Sequence, residues 1–163
     1  MSTPWSDINE MFFDKVEEDS GFFNYFELSE DEAVELATER ANSCLKEAAA
    51  RFELECGMSD VNFLDYDSEN EQFNFDLTPT ERYIMCSLQY EAYIARDIAK
   101  IKVFELNFVP SDLTVFDPSN ARRSFMQMYE SVKDENRALL DNYKSKDRLT
   151  NQKRAINYTE YDE

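Results

Sequence analysis

The chain has 163 residues, of which 42% are hydrophobic and 14% aromatic, with only 2 glycines and 4 prolines. This composition predicts one mainly helical domain with a real core, and it excludes wholesale disorder and an all-β sandwich. The formal net charge is -18, and the whole excess of acids lies in residues 1–81, because residues 82–163 are balanced. An acidic surface repels phosphate, so a general nucleic-acid binder is excluded.

Several kinds of chemistry are excluded by what the chain lacks. It has no histidine, which removes the commonest general base and the commonest zinc ligand. It also lacks a glycine-rich phosphate loop. We therefore expect no enzyme, no metal and no cofactor. No apolar run is long enough to cross a membrane, and the first residues do not form a signal peptide, so we expect no membrane contact. The thiols of Cys44, Cys56 and Cys86 are odd in number, which indicates a reducing compartment.

Two amphipathic helices are predicted in the first third of the chain. The first begins with Ser6 as its N-cap, and the second begins at a capping box, Ser29 to Glu32, and ends at Gly57. Apolar residues at helical spacing form one stripe on each. The stripe of the first helix consists of Trp5, Ile8, Met11, Phe12 and Val16. The stripe of the second consists of Val34, Ala37, Ala41, Cys44, Leu45, Ala48 and Phe52.

A β-hairpin is predicted over residues 61–77, where two alternating segments flank a polar connector. A two-stranded ribbon is marginal alone, so it must pack on the helices or pair with another chain. The aromatic residues expected at such a contact between subunits are Phe63, Tyr66, Phe73 and Phe75. Part of the hairpin also matches a calcium-loop template weakly, with acids at Asp65, Asp67, Glu69 and Asp76. Because Asn70 stands where glycine is needed, an acidic hairpin turn is the favoured interpretation.

The third helix is predicted to follow the hairpin almost directly. Thr78 is its N-cap, Pro79 is its first residue, and Glu81 completes a second capping box. Its apolar surface is wide, with Tyr83, Cys86, Tyr90, Ile94 and Ile101 on one side and Ile84, Leu88, Ala95 and Ala99 on another. Such a surface is typical of the central helix of a bundle.

The fourth helix is predicted to begin at Asp117 and Pro118. Its apolar face consists of Phe125, Met128, Val132, Leu139, Leu140 and Tyr143, and Asn136 interrupts that face. Together these elements predict a mainly α, four-helix bundle-like domain over residues 1–144, with one hairpin between the second and third helices.

Residues 145–163 form the predicted C-terminal arm, an extended tail without a core of its own. A basic run that begins at Lys144 can dock on an acidic surface, either of this chain or of a partner, and the following residues alternate like a strand. The alternative is a frayed, solvated end. The predicted partner-binding residues are Lys144, Lys146, Arg148, Lys153, Arg154, Ile156, Tyr158 and Tyr161.

The order of these elements resembles the head–tail connector proteins (adaptor or head-completion proteins) of long-tailed bacteriophages. The resemblance spans roughly residues 5–145 and rests on three segments: "WSDINEMFFDKV", the hairpin that ends in "FDLTPTE" and launches the central helix, and "ARRSFMQMYESVKDENRALL". The connection over residues 17–28 and the tail are both longer than the family pattern.

The resemblance implies a structural virion protein at the neck, assembled in the host cytoplasm. Such subunits form rings, commonly of twelve copies, that bind the portal protein, often through the C-terminal segment. The ring extends the DNA channel without binding DNA and offers a surface to a further neck or tail-completion protein. The charge pattern fits this role, because acidic channel walls repel DNA.

Two other functions remain open from the sequence. The acidic half could mimic DNA and inhibit a DNA-binding enzyme. A small regulatory helical domain that binds a host protein is a third possibility, which the sequence neither supports nor excludes.

Overall fold

The structure is a computed structural model that describes residues 2–16, 29–57, 61–107 and 118–154. Within these ranges four helices and a small antiparallel sheet confirm the mainly α prediction, including the hairpin between the second and third helices. The elements in chain order are β1 (Thr3–Pro4), α1 (Ser6–Val16), α2 (Glu30–Cys56), β2 (Tyr66–Asp67), β3 (Gln72–Phe73), α3 (Pro79–Asn107) and α4 (Pro118–Lys144).

The helix α3 occupies the centre of the bundle, as its wide apolar surface predicts, and it packs against α1, α2 and α4. Its buried apolar residues are Ile84, Met85, Cys86, Leu88, Tyr93, Ile94 and Ile98. Tyr83 differs from the prediction, because its side chain is 48% exposed. Within the described residues, no helix combines the length and the apolar character that crossing a membrane requires.

Both predicted capping boxes are present. At α2, the Ser29 hydroxyl accepts from the Glu32 N–H at 3.4 Å, and the Glu32 carboxylate accepts from the Ser29 N–H at 3.1 Å. At α3, Thr78 and Glu81 make the same reciprocal pair, at 3.3 and 2.8 Å. The start of α1 is one residue earlier than predicted, because the carbonyl of Trp5 accepts the first helical N–H groups and Ser6 is already helical.

The predicted stripes of α1 and α2 form the core, except that Val34 at the start of α2 is 66% exposed. The small residues Ala37, Ala41, Ala48 and Ala49 of α2 are buried. Leu140 and Tyr143 of α4 are buried, whereas Met128 on its predicted apolar face is 39% exposed. All three cysteines are buried and free. Burial raises the pKa of Cys56 and of Cys86 to about 11, so both are neutral thiols at pH 7.

The sheet has three strands instead of the two that the hairpin predicts. β3 lies between β1 and β2, and Phe73 pairs with Thr3 on one side and with Tyr66 on the other. The N-terminal strand was missed because a strand of two residues is too short to show alternation. The hairpin therefore pairs within its own chain and packs on the helices.

A row of buried amides connects α1, α2 and α3 to the hairpin. Gln89 donates to the Asn9 oxygen at 2.9 Å, Asn9 donates to Asn42 at 2.7 Å, and Asn42 donates to the Glu71 carboxylate at 2.8 Å. Glu71 has a left-handed backbone, with φ of 50°. Because buried amides need partners, this row fixes how the hairpin turn sits on the helices.

Candidate functional site: the anchored C-terminal arm

The arm begins as a tight hairpin, in contrast to the extended tail that the sequence predicts. Lys146 and Lys153 form an antiparallel bridge, and the Arg154 N–H donates to the Ser145 carbonyl at 2.9 Å. At the turn, the Asp147 carboxylate accepts from Thr150 and Leu149. The Thr150 N–H makes the largest contribution to lowering the pKa of Asp147, and the Thr150 hydroxyl makes the next largest. Hydrogen bonds within residues 145–154 therefore form this hairpin without contact to another protein.

Arg148 fixes this hairpin to the bundle. Its guanidinium donates to both carboxylate oxygens of Glu81, at 2.6 and 3.0 Å, and to the carbonyl of Asp76 at 2.6 Å. The guanidinium carbon also lies 5.8 Å from the centre of the Phe75 ring. The Glu81 side chain is fully buried, and that of Arg148 is 13% exposed. A bidentate arginine–carboxylate pair of this kind is among the stronger polar contacts in proteins.

Glu81 joins three parts of the molecule at one carboxylate. It closes the capping box of α3 and also accepts from the Tyr143 hydroxyl of α4 at 2.6 Å. Burial, followed by this bond to Glu81, raises the pKa of Tyr143 well above its usual range, so the phenol is neutral. The hairpin–helix junction, the end of α4 and the arm therefore share one buried charge. Sequence reasoning found only the capping role, because Arg148 lies 67 residues away in the chain.

The other predicted arm residues are distributed differently. The exposed Lys144 side chain lies 3.7 Å from the Asp141 carboxylate one turn earlier. Lys146 is half-buried, while Lys153 and Arg154 are exposed. Ile156, Tyr158 and Tyr161 lie outside the described residues, as does Asp117 before α4. Among the described cations of the arm, Arg148 is thus the one anchored at a buried acid, and Lys153 and Arg154 face solvent.

The hairpin aromatics that were predicted to contact a neighbouring subunit belong largely to the core of this chain. Phe63 and Phe73 are fully buried. The Phe63 ring stacks on Phe52 at 4.1 Å, and Phe73 lies edge-on to Tyr66 at 6.1 Å. Tyr66 and Phe75 are half-buried at the margin of the same cluster. Burial within the subunit accounts for Phe63 and Phe73 without a neighbour, so any contact between subunits here involves the rims of Tyr66 and Phe75.

Three of the four acids of the calcium-loop template, Asp65, Asp67 and Asp76, have separate protein partners. Asp67 accepts from the N–H groups of Glu69 and Asn70 at the hairpin turn, and the side chain of Asn70 contributes most to the lowering of its pKa. Asp65 accepts from Asn74, and Asp76 contacts Arg82 at 3.5 Å. Across the described ranges, no group of three or more candidate metal-ligating residues comes together. The segment has the geometry of an acidic hairpin turn.

A second buried carboxylate lies farther along α3. Glu91 faces the guanidinium of Arg51 from α2 and accepts from the amide of Asn136 at 2.8 Å. Asn136 also donates to the carbonyl of Ser87 at 3.1 Å. The polar residue that interrupts the apolar face of α4 is therefore a buried hydrogen-bonding residue, which the sequence pattern did not reveal.

Comparison of the chain with known protein families, curated proteins and solved structures found no match.

Proposed function

We propose that the chain is a ring-forming head–tail connector of a long-tailed bacteriophage. In this role it binds the portal protein, extends the DNA channel and joins the head to a further neck or tail protein, without catalysis. The observation that carries the proposal is the anchored arm. Arg148 holds the arm at a fixed point on the bundle, so the solvent-facing Lys153 and Arg154 start from a defined place.

Unlike surfaces within one subunit support assembly into a ring. A ring contact is heterologous, which requires two different faces on each copy. The N-terminal half carries all of the excess acid, and Glu32, Glu35 and Glu39 of α2 are exposed. The described arm is basic, since it bears Lys146, Arg148, Lys153 and Arg154 against one acid. An acidic face of one copy can therefore attract the basic arm of a partner, and an acidic channel wall does not retain DNA.

Exposed apolar side chains supply the contact area that such a ring needs. Leu54 is 87% exposed and Leu36 is 41% exposed, both on α2, and Leu64 of the hairpin loop is 47% exposed. Assembly of subunits this acidic requires apolar contacts that exceed the repulsion between copies. Edge pairing contributes little, since β1 and β2 are two residues long.

Light scattering of the purified protein, alone and with its cognate portal protein, tests the proposal. We expect a closed oligomer on the portal whose mass corresponds to about twelve copies, the number that the family resemblance implies. Variant Lys153→Glu/Arg154→Glu should weaken portal binding at least tenfold. Lys133→Glu/Arg137→Glu, an equal charge change on exposed α4 positions, is the matched control. A monomer under both conditions contradicts the proposal.

Truncation of the arm must preserve the Arg148 anchor to be informative. Removal of everything after Lys144 leaves the buried Glu81 without its cation, so lost binding could reflect lost stability. A chain that ends at Arg154 retains the anchor and removes Ile156, Tyr158 and Tyr161. If residues after 154 bind the portal, this chain should keep its fold and lose binding. Undiminished binding would exclude them as the docking segment.

The exposed acids of α2 favour one second candidate, an inhibitor that mimics DNA. The exposed carboxylates of Glu32, Glu35 and Glu39 follow one another along α2, as phosphates follow one another along a DNA strand. This role predicts one-to-one, salt-sensitive binding to a basic nuclease and no ring. Measuring that binding at two salt concentrations distinguishes the two roles, since a connector has no affinity for such an enzyme.

A further inference from the structure

Two adjacent clefts lie along the seam between α3 and α4, and together we call them the trough. Its larger part is a cleft of about 280 Å³ lined by Lys15, Tyr83, Ser87, Tyr90, Val132, Glu135, Asn136 and Leu139. A smaller cleft of about 60 Å³ shares Tyr83 and Leu139 and is completed by Thr80, Ile84, Asn142, Tyr143, Lys146 and Asn151. Because Lys146 and Asn151 belong to the arm hairpin, the arm forms the mouth of the trough.

The walls of the trough combine apolar surface with the ammonium of Lys15, which lies between Tyr83 and Tyr90. Tyr83 is 48% exposed, and Val132 and Leu139 are half-buried. The Lys15 ammonium lies over the rings of Tyr83 and Tyr90, at 5.3 and 5.9 Å from their centres, and donates to the Ser87 hydroxyl at 3.0 Å. An ammonium has three donors, so this one can also serve an acid.

We propose that this trough is the docking site of the chain's own residues 155–163. In the proposed arrangement Ile156 and Tyr158 cover the apolar walls, and Glu160 approaches Lys15. The segment contains three acids and no base, so its charge complements Lys15. Glu135 lies on the α4 wall, and its repulsion directs the acid toward the α1 side, where Lys15 lies.

The length of the segment matches the trough. Thr80 lines the mouth and Tyr90 the far end, and this stretch of helix rises about 15 Å. From Arg154, an extended chain reaches about 20 Å by Glu160 and about 13 Å by Tyr158. The arm hairpin already places Arg154 beside Ser145, immediately after α4. The segment therefore starts at the mouth and is long enough to reach Lys15.

The inference goes beyond the proposed connector role, because it concerns the isolated subunit and requires neither ring nor portal. The test uses the full-length chain with the photoreactive residue benzoylphenylalanine in place of Tyr158. After irradiation, mass spectrometry should locate crosslinks on the α3 and α4 residues that line the trough. The same reporter at Leu149, which is 79% exposed at the arm turn, is the positional control and should give no such crosslinks.

Charge variants sharpen the test. Lys15→Glu should lower the crosslink yield roughly threefold to fivefold, as expected for loss of one surface ion pair, whereas Lys133→Glu should leave it unchanged. Thermal unfolding of each variant verifies the fold, and Lys15→Gln gives a milder change if Lys15→Glu unfolds. Absence of trough crosslinks in the unaltered background overturns the proposal. Crosslinks that join isotopically light and heavy copies in a mixture also overturn it, since the segment then occupies another copy.

Discussion

Among the described side chains of α3, two carboxylates are buried, Glu81 and Glu91. They have similar polar partners, but they connect α3 to different parts of the molecule. Each carboxylate faces an arginine and accepts from one neutral side chain of α4: Arg148 and Tyr143 for Glu81, Arg51 and Asn136 for Glu91. Arg51 belongs to the long helix α2, which packs along α3. Arg148 belongs to a short hairpin held mainly by its own turn.

This difference shows what each ion pair stabilises. The Glu91 pair adds to a helix interface that apolar packing already holds. The Glu81 pair is the principal polar link between the arm and the bundle, in addition to the contacts that Arg148 makes with Asp76 and Phe75. Loss of Arg51 should weaken the bundle as a whole, whereas loss of Arg148 should also release the arm hairpin.

The largest effect is expected at Arg148. Arg148→Met removes the cation and leaves the buried Glu81 carboxylate with neutral donors only, which should lower the free energy of unfolding by about 3–5 kcal/mol. Urea denaturation measures this change. The double variant Glu81→Gln/Arg148→Met removes both charges and should regain part of the loss. A loss under about 1 kcal/mol for Arg148→Met would show that Glu81 is readily hydrated and that the arm is not anchored by this pair.

Arg51→Met should cost less, about 2 kcal/mol, because the Arg51 side chain is 29% exposed and solvent screens its charge. Hydrogen exchange separates the two sites. Arg148→Met should raise exchange first at residues 145–154, and Arg51→Met should raise it along α2 and α3 together. If both variants raised exchange in the same amides, the contrast between the two carboxylates would be wrong.

The same two sites show what the sequence could and could not predict. Local signals predicted both capping boxes, including Thr78 and Glu81, because their residues are neighbours in the chain. Periodicity likewise predicted the central place of α3. The end of α4 at Lys144 also followed from the end of the pattern. Each of these inferences depends on residues within a few turns of one another.

The sequence contains no comparable signal for polar pairs between residues that are far apart in the chain. Arg148 was predicted as a partner-binding residue from charge alone, and its buried acceptor lies 67 residues earlier. Asn136 interrupts the apolar face of α4 because it donates to Glu91 and to the Ser87 carbonyl, and the sequence alone shows neither contact. Thr3 pairs with Phe73 through a strand too short for alternation to show. Burial of polar groups is set by tertiary packing, which a single sequence does not display.

Two left-handed residues extend the comparison from ion pairs to turns. Glu71 in the sheet hairpin has φ of 50°, and Asn151 in the arm hairpin has φ of 56°. Glycine adopts such a backbone without strain. Asn151→Gly keeps the main-chain bond to the Asp147 carbonyl, and it should change stability by less than about 0.5 kcal/mol. Glu71→Gly also removes the acceptor for the buried Asn42 amide, so a net loss of about 1 kcal/mol is expected. Thermal unfolding of the two variants provides the measurement, and equal effects would mean that the bond from Asn42 to Glu71 contributes nothing.

The smallest effect concerns acid, at the aspartates of the same two turns. Hydrogen bonds lower the pKa of Asp147 and of Asp67 in the folded chain. A carboxyl group with a lowered folded-state pKa contributes stability above its unfolded pKa, and this contribution is lost as pH falls through the folded value. Both turns should therefore loosen below about pH 4. The consequences differ, since Arg148 directly follows Asp147 and no anchoring cation follows Asp67. In an NMR titration the Thr150 amide and the Arg148 side-chain N–H signals should move together, whereas the Asn70 amide should move without Arg148. Asp147→Asn should abolish the coupled shift at Arg148, and a shift that persists in this variant would assign the acid response to another carboxylate.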